Sequence, residues 1–318
     1  MDNIKKNILL IVILFIYFGA FSQQEPQFTQ NMFNNMSINP GYAGTNDAIS
    51  VTALLRQQWV GFKDSEGNKI SPETYLFSID APINILHGGL GATITQDKLG
   101  FEKNIGVKLG YAYRCSLGYG DLGIGLQVGF LNKSIDFSKF IKIDNDDPVL
   151  GGQSEESTMV TDFSFGLFYN IPGEYYFGIS TSQFRQAKAD IGESSEFYLK
   201  RHYYITAGYH YILPNNPSFE VSPSFLIKSD GNTLQYDISS LLTYNNKFWG
   251  GISYRVTDAI GILLGLNFKD ISVGYSYDIT TSKLGSVGSL GSHEIMLRYN
   301  FKIEVDKTPK TYKNTRYL

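Results

Sequence analysis

Leu122-Gly123-Ile124-Gly125-Leu126-Gln127-Val128-Gly129-Phe130 puts a large apolar side chain at every second position and fills the gaps with glycine and one glutamine. Successive side chains of a β-strand point to opposite faces, so as a strand this stretch has one apolar face and one small or polar face. The pattern recurs upstream, where Ile105, Val107, Leu109, Tyr111 and Tyr113 interleave with Gly106, Lys108, Gly110, Ala112 and Arg114. It recurs near the C-terminus, where Ile295, Leu297, Tyr299 and Phe301 interleave with Glu294, Met296, Arg298, Asn300 and Lys302. A soluble sandwich alternates too, but on shorter strands with many charges on the wet face. Here the second face is mainly Gly, Ser, Thr, Asn and Gln, which suits a packed polar lumen, while the first face suits lipid.

Working outward, the alternation predicts strands over residues 49–58, 74–81, 88–96, 102–114, 121–133, 163–169, 175–182, 201–211, 219–228, 233–244, 248–255, 259–268, 271–277 and 293–303. Single-chain bacterial barrels have an even number of strands, which this set of about fourteen satisfies. Many reach the ~9–11 residues that a tilted strand needs to cross a bilayer. The connections sort by side. If the first strand runs outward, the long ones (59–73, 134–162, 183–200 and 278–292) all fall on the outer rim, and short ones such as 245–247 and 269–270 fall on the periplasmic rim. Trp59, Tyr175, Tyr176, Tyr203, Tyr204 and Trp249 stand near strand ends, as an aromatic girdle would.

The 318 residues carry 32 Gly, 22 Tyr and 22 Phe, and only 18% are charged, below the roughly 25% of soluble domains. A net charge of -3 gives no basis for a nucleic-acid partner. A mean hydropathy of -0.14 excludes a multi-helix membrane protein but not a barrel, whose alternate residues avoid lipid. Lys5 and Lys6, the apolar run Ile8 to Ala20 and the small-x-small site Ala20-Phe21-Ser22 read as a cleavable export signal over residues 1–22, too short for the ~20 residues of a membrane anchor. The only cysteine, Cys115, excludes an intramolecular disulfide and reads as a turn residue.

The expected fold is therefore all-β: a single transmembrane antiparallel barrel over 49–303, integral to the outer membrane, with both termini periplasmic. Residues 23–48 precede it as a periplasmic segment or a plug, and 304–318 follow as a periplasmic tail.

Catalytic groupings are not evident. His202 and His210 share a face but stand about 26 Å apart along one strand, and no Ser, His and Asp gather on a nucleophile elbow. Gly88-Gly89-Leu90-Gly91 opens a strand rather than a helix, so it lacks the helix N-terminus that holds phosphate and reads as small residues on a crowded face. Asp144, Asp146, Asp147, Glu155 and Glu156 fail the spacing of a calcium loop and read as a solvated acidic loop. No enzyme activity, cofactor or metal is expected. One pairing follows from closure: Arg56 and Glu294 both face inward, near the outer ends of the first and last strands, and should meet as a buried ion pair across the seam.

The ordered set Gln27-Phe28-Thr29-Gln30-Asn31-Met32-Phe33, Asn39-Pro40-Gly41-Tyr42-Ala43-Gly44, Arg56-Gln57-Gln58-Trp59-Val60-Gly61-Phe62, Asp97-Lys98-Leu99-Gly100 and Gly291-Ser292-His293-Glu294 resembles the PorP/SprF family of type IX secretion membrane proteins. The likeness spans nearly the whole mature chain. Two positions depart from the family pattern: Gly41 stands where Ala is usual, and Asn34-Asn35 stand where Asn-Pro is usual. The resemblance implies an outer-membrane component of a type IX secretion or gliding system. Such a component supports export or surface attachment of large secreted adhesins through their C-terminal sorting domains, and can associate with periplasmic ring proteins. No catalytic residues are implied. Asn39, Pro40, Tyr42, Arg56, Trp59 and Glu294 are the candidate partner-binding residues. The competing reading is an outer-membrane channel for a hydrophobic or small solute. A continuous lumen would mark the channel, and a lumen filled by the N-terminal segment or a bound sorting domain would mark the accessory.

Overall fold

The computed structural model describes residues 25–63, 67, 69–140, 155–191, 195–282 and 289–302. The proposed signal, the tail 304–318 and Asp144, Asp146 and Asp147 lie outside these residues.

Among the described residues seventeen strands are formed: β1 (Ala48–Gln57), β2 (Glu73–Ile83), β3 (Gly88–Leu99), β4 (Glu102–Leu117), β5 (Gly120–Asp136), β6 (Glu155–Ile171), β7 (Tyr175–Ser182), β8 (Lys188–Ile191), β9 (Ser195–Tyr198), β10 (His202–Tyr209), β11 (Tyr211–Ile212), β12 (Phe219–Ser229), β13 (Leu234–Tyr244), β14 (Phe248–Arg255), β15 (Ala259–Phe268), β16 (Ile271–Thr280) and β17 (Ser292–Lys302). β8 and β9 form a separate hairpin inside one connection. β10 and β11 are two pieces of one stave interrupted at His210. The other strands pair antiparallel with their chain neighbours, β1 pairs with β17 and β10 pairs with β12, so the sheet closes into fourteen staves. Closure leaves no unpaired edge, which is what allows a sheet to sit in hydrocarbon.

All fourteen expected strands are present, with three corrections to their ends. β6 begins at Glu155 rather than 163, so Glu155 and Glu156 belong to a strand and not to an acidic loop. Asp278 lies within β16, on the buried face. Cys115 lies inside β4, half-buried, and is not a turn residue.

Burial is inverted relative to a soluble protein. Outward positions are large and exposed, as with Leu126, Ile252 and Leu264. Inward positions are polar and buried, as with Thr52, Ser78, Gln127, Ser180 and Ser253. A continuous apolar outer surface around a polar interior is the signature of a lipid-facing barrel. Three of the six expected girdle aromatics have the wrong parity for that role: Trp249 and Tyr204 are buried inward, and Tyr176 stacks on the buried Phe168 at 5.6 Å.

What covers the inward faces is the chain's own N-terminal segment. Residues 25–47 descend along the inner wall in three short 3-10 turns, Asn31–Phe33, Asn35–Ser37 and Pro40–Tyr42. Glu25 lies by Ser182, Tyr204 and Lys228, on the side of the long connections. Residues 39–44 lie by Gly89, Gly123 and Gly166, near the short-turn ends of their strands, where β1 begins.

The glycine face of the opening sequence stretch is explained here. A Cβ on Gly125 would fall within 3.0 Å of Pro40 and Gly41 backbone atoms, and one on Gly123 would strike the Gly41 carbonyl. Gly41 itself has Gly123 O and Phe168 N within 3.0 Å of its Cβ position. The wall is stripped of side chains because another backbone lies against it. By contrast a Cβ on Gly106 would meet nothing nearer than 3.6 Å. Gly125→Val is expected to destabilise the folded barrel by about 1–3 kcal/mol through overpacking, while Gly106→Ala leaves it unchanged. The heat-induced mobility shift of the barrel on electrophoresis measures both, and equal melting of the two variants would separate the glycines from the segment.

Candidate functional site

The lumen holds two clusters that bind the N-terminal segment, one in each half. The first lies at the seam. Arg56 of β1 stands directly opposite Glu294 of β17. Its Nη1 bonds Glu294 Oε2 at 2.9 Å and its Nη2 bonds Asp278 Oδ2 at 2.7 Å. Arg255 of β14 extends the network to Asp278 at 3.7 Å and to Asp237 at 3.2 Å. These five side chains are all buried. Three carboxylates face two guanidinium groups, so the arginines alone do not saturate the oxygens. The segment supplies the remainder. Thr29 N and Gln30 N each donate to a different oxygen of Glu294, both at 2.9 Å, and Thr29 Oγ1 donates to Asp278. A buried carboxylate that accepts backbone N–H groups and a guanidinium together is satisfied without water. Below it Phe33 packs on Trp249 with ring centroids 4.9 Å apart, a contact of about 0.5–1.5 kcal/mol beyond area burial.

The second cluster lies at the short-turn end. Asn39 Oδ1 accepts from Gly41 N at 2.9 Å, capping the turn that Pro40 opens. Its Nδ2 donates to Leu167 O of β6 at 2.9 Å. Tyr42 meets Phe168 edge-on at 5.1 Å, and its hydroxyl accepts from Asn46 Nδ2 at 2.9 Å. Gly44 N donates to Asp80 Oδ2 at 3.0 Å.

Five of the six residues singled out from the sequence (Asn39, Pro40, Tyr42, Arg56 and Glu294) therefore lie in the lumen and hold the segment to the wall. The sixth, Trp59, is not with them. It follows β1 at a positive φ of 49° and borders an apolar hollow with Phe62, Ile70, Phe101 and Phe140 on the long-connection rim. Sequence reading missed Asp278, Arg255, Lys108 and Lys228. The available signal was a charge at inward parity within an apolar alternation, as Lys108 shows between Val107 and Leu109.

A model of the type IX secretion system membrane protein PorP/SprF family matches residues 20–299. The chain belongs to the PorP/SprF family. That membership and the closed barrel make it an integral outer-membrane protein of a type IX secretion system. Similar solved structures are barrels of low sequence identity. The toluene transporter TbuX of Ralstonia pickettii is 12% identical, with 84% of this chain and 93% of that chain covered and a TM-score of 0.51. The translocator domain of the autotransporter NalP from Neisseria meningitidis is 13% identical over 86% and 96%, with a TM-score of 0.46. These likenesses concern the fold. No curated protein sequence matches the chain.

Glu25 ties the upper part of the segment. Burial alone would raise its carboxyl, but Lys108, His202, Lys228 and the Tyr204 hydroxyl outweigh that and hold it well below the usual carboxylate range. A depressed folded pKa contributes stability above the ordinary value of 4.5, and that contribution is lost as pH falls through the lower folded value. Glu25→Gln is therefore expected to melt lower than the parent at pH 7, with the gap narrowing once the pH drops below 4.5; a constant gap would refute the charge interaction. At the seam, Arg56→Leu leaves Asp278 and Glu294 facing each other and should cost about 3–5 kcal/mol. Unchanged melting of that variant would show that the pairing does not hold the barrel.

Proposed function

We propose that this barrel supports the export or surface attachment of large secreted proteins of the type IX pathway by binding their C-terminal sorting domains, in the manner of a cargo-specific accessory. What supports this over a solute channel is the lumen itself. Residues 25–47 run down the lumen from the long-connection side, pack its short-turn half backbone against backbone at Gly123 and Gly125, and at Thr29 and Gln30 complete the buried carboxylate network of the wall. A passive channel for a small solute needs a through-path, and a segment with this many wall contacts is a poor gate for rapid diffusion. A protein partner, by contrast, can meet the rim, the segment or the chamber above it.

In this reading the short-turn rim, with the start of β1 and the end of β17, faces the periplasm, where ring components of the secretion machine would dock; the chain leaves β17 on that side, whereas the described N-terminal segment starts at Glu25 on the long-connection side, against the expectation that both termini are periplasmic. The long connections face outward, and Trp59 with its apolar surroundings offers cargo a contact there. The residues before the described segment act as a cleaved export signal, and surface display of an adhesin links the barrel to gliding. The protein has no catalytic role in this scheme.

Deleting the gene and comparing surface and secreted proteins by mass spectrometry, with complementation, tests the reading. Selective loss of one or a few large proteins with sorting domains is expected. Loss of all type IX cargo would make the barrel a core machine part instead. An unchanged set of exported proteins would overturn the proposal and leave the solute channel in its place.

A further inference from the structure

Above the plug the lumen widens into a chamber of about 400 Å³. Its floor includes Glu25 and Phe28 of the segment, and its wall includes Lys108, Tyr204 and Lys228. Phe197 and Leu199, in and just after the β8–β9 hairpin, line it from the long-connection side. The wall of β4 and β5 is flat at this level because Gly106 and Gly129 carry no side chains into it, so the space is a built feature rather than a packing fault.

At the edge of this chamber three strands aim donors at the Glu25 carboxylate and a fourth at its backbone carbonyl. Tyr204 of β10 bonds Glu25 Oε2 at 2.5 Å. Ser182 of β7 donates to Glu25 Oε1 at 2.9 Å, and Lys108 Nζ of β4 lies 3.5 Å from the same atom. Lys228 Nζ of β12 donates to the Glu25 carbonyl at 2.7 Å and adds its charge to the pocket. Ser182, Tyr204 and Lys228 are all buried. His202, one pleat from Tyr204 and wholly buried, leaves Nε2 without a hydrogen-bond partner. Two lysines and two hydroxyls of the wall thus gather around Glu25, with the His202 imidazole beside them.

Glu25 is held differently from the rest of the segment. Residues 28–30 and 33 are locked by the seam network and Trp249, and residues 39–44 by the glycine wall. Glu25 precedes all of these anchors, beside the open chamber, and its withdrawal leaves both of them intact.

We infer that the wall residues Lys108, Ser182, Tyr204 and Lys228 form a carboxylate-binding site, which Glu25 fills as a tethered stand-in until a carboxylate entering the chamber from the long-connection side displaces it. The site selects carboxylates because two hydroxyls and the Lys108 ammonium converge on the two oxygens of one carboxylate, with the Lys228 ammonium beside it. The entering group is an acidic side chain or a free C-terminal carboxylate of a peptide. A tether holds Glu25 at a high effective concentration, so the competitor binds weakly until Glu25 is removed. The inference stands apart from the cargo reading: it concerns what the wall binds, whichever protein delivers it.

Three fluorescent pentapeptides test it on the full mature chain in lipid nanodiscs, with anisotropy as the readout. One has a central Glu and an amidated end, one a central Gln and an amidated end, and one a central Gln and a free C-terminal carboxylate. Glu25→Gly is expected to bind at least one of the two carboxylate peptides on the order of tenfold more tightly than the parent does. Whichever carboxylate peptide gains shows the source that the site takes. The peptide without a carboxylate should gain nothing. Adding Lys108→Gln or Lys228→Gln to Glu25→Gly should abolish the gain, and either variant suffices if the other does not fold. Equal binding of all three peptides, or no gain on Glu25→Gly, overturns the inference.

Discussion

Glu294 is a buried carboxylate inside a membrane barrel, and much of the lumen is arranged around keeping that charge paired. Isolated in a medium of low dielectric it would be untenable. Arg56, directly across the seam between the first and last strands, supplies the countercharge, but Asp278 draws on the same guanidinium. The balance is restored by Arg255 on one side and by two backbone amides of the N-terminal segment on the other. Barrel closure and seating of the segment are thus one event in energetic terms. A barrel closed without the segment strands carboxylate oxygens, and a segment without the closed seam has no paired carboxylate to bind. Buried polar networks have this property generally: complete, they specify a single arrangement, and partly complete, they are worse than none.

The glycine wall solves the complementary problem. An irregular segment inside a barrel must satisfy its own backbone groups and still pack at the density of a protein interior. Side chains on the wall would hold it off and open voids. Glycine at Gly123 and Gly125 lets main chain touch main chain, and Gly166 makes room for the Asn39 side chain, which bridges to Leu167 O to recover a hydrogen bond there. The loss of strand propensity that glycine brings falls where the packed segment offsets it.

The barrel was legible because its two faces differ in kind. Alternation in β5 or β17 is a local signal, and the count and side-sorting of connections gave the closure and the strand order without any long-range information. The seam pair was legible for the same reason, since parity and closure together place Arg56 against Glu294. Less visible was anything that depends on what fills the interior. Trp249 and Tyr204 resemble girdle residues because they sit near strand ends, and only their parity relative to Leu242 or Ile205 turns them inward. Lys108 and Lys228 look like stray charges until Glu25, some eighty and two hundred residues away in the chain, is set between them. Glycine at every second position announces a small face but not the backbone that needs it.

The two halves of the lumen differ in how firmly they are closed, and this difference shapes what the barrel can bind. In the short-turn half the contacts are backbone to backbone and are cemented by Tyr42 against Phe168, so little can pass without dismantling the wall packing. In the long-connection half the segment meets the wall through polar side chains of the wall rather than backbone against backbone, and the space above it is bounded by a short hairpin held mainly by Val160, Ala187 and Leu199. A local cluster of that size opens at far lower free energy than the barrel unfolds. Opening of that hairpin would widen the chamber and leave the glycine wall of the short-turn half untouched.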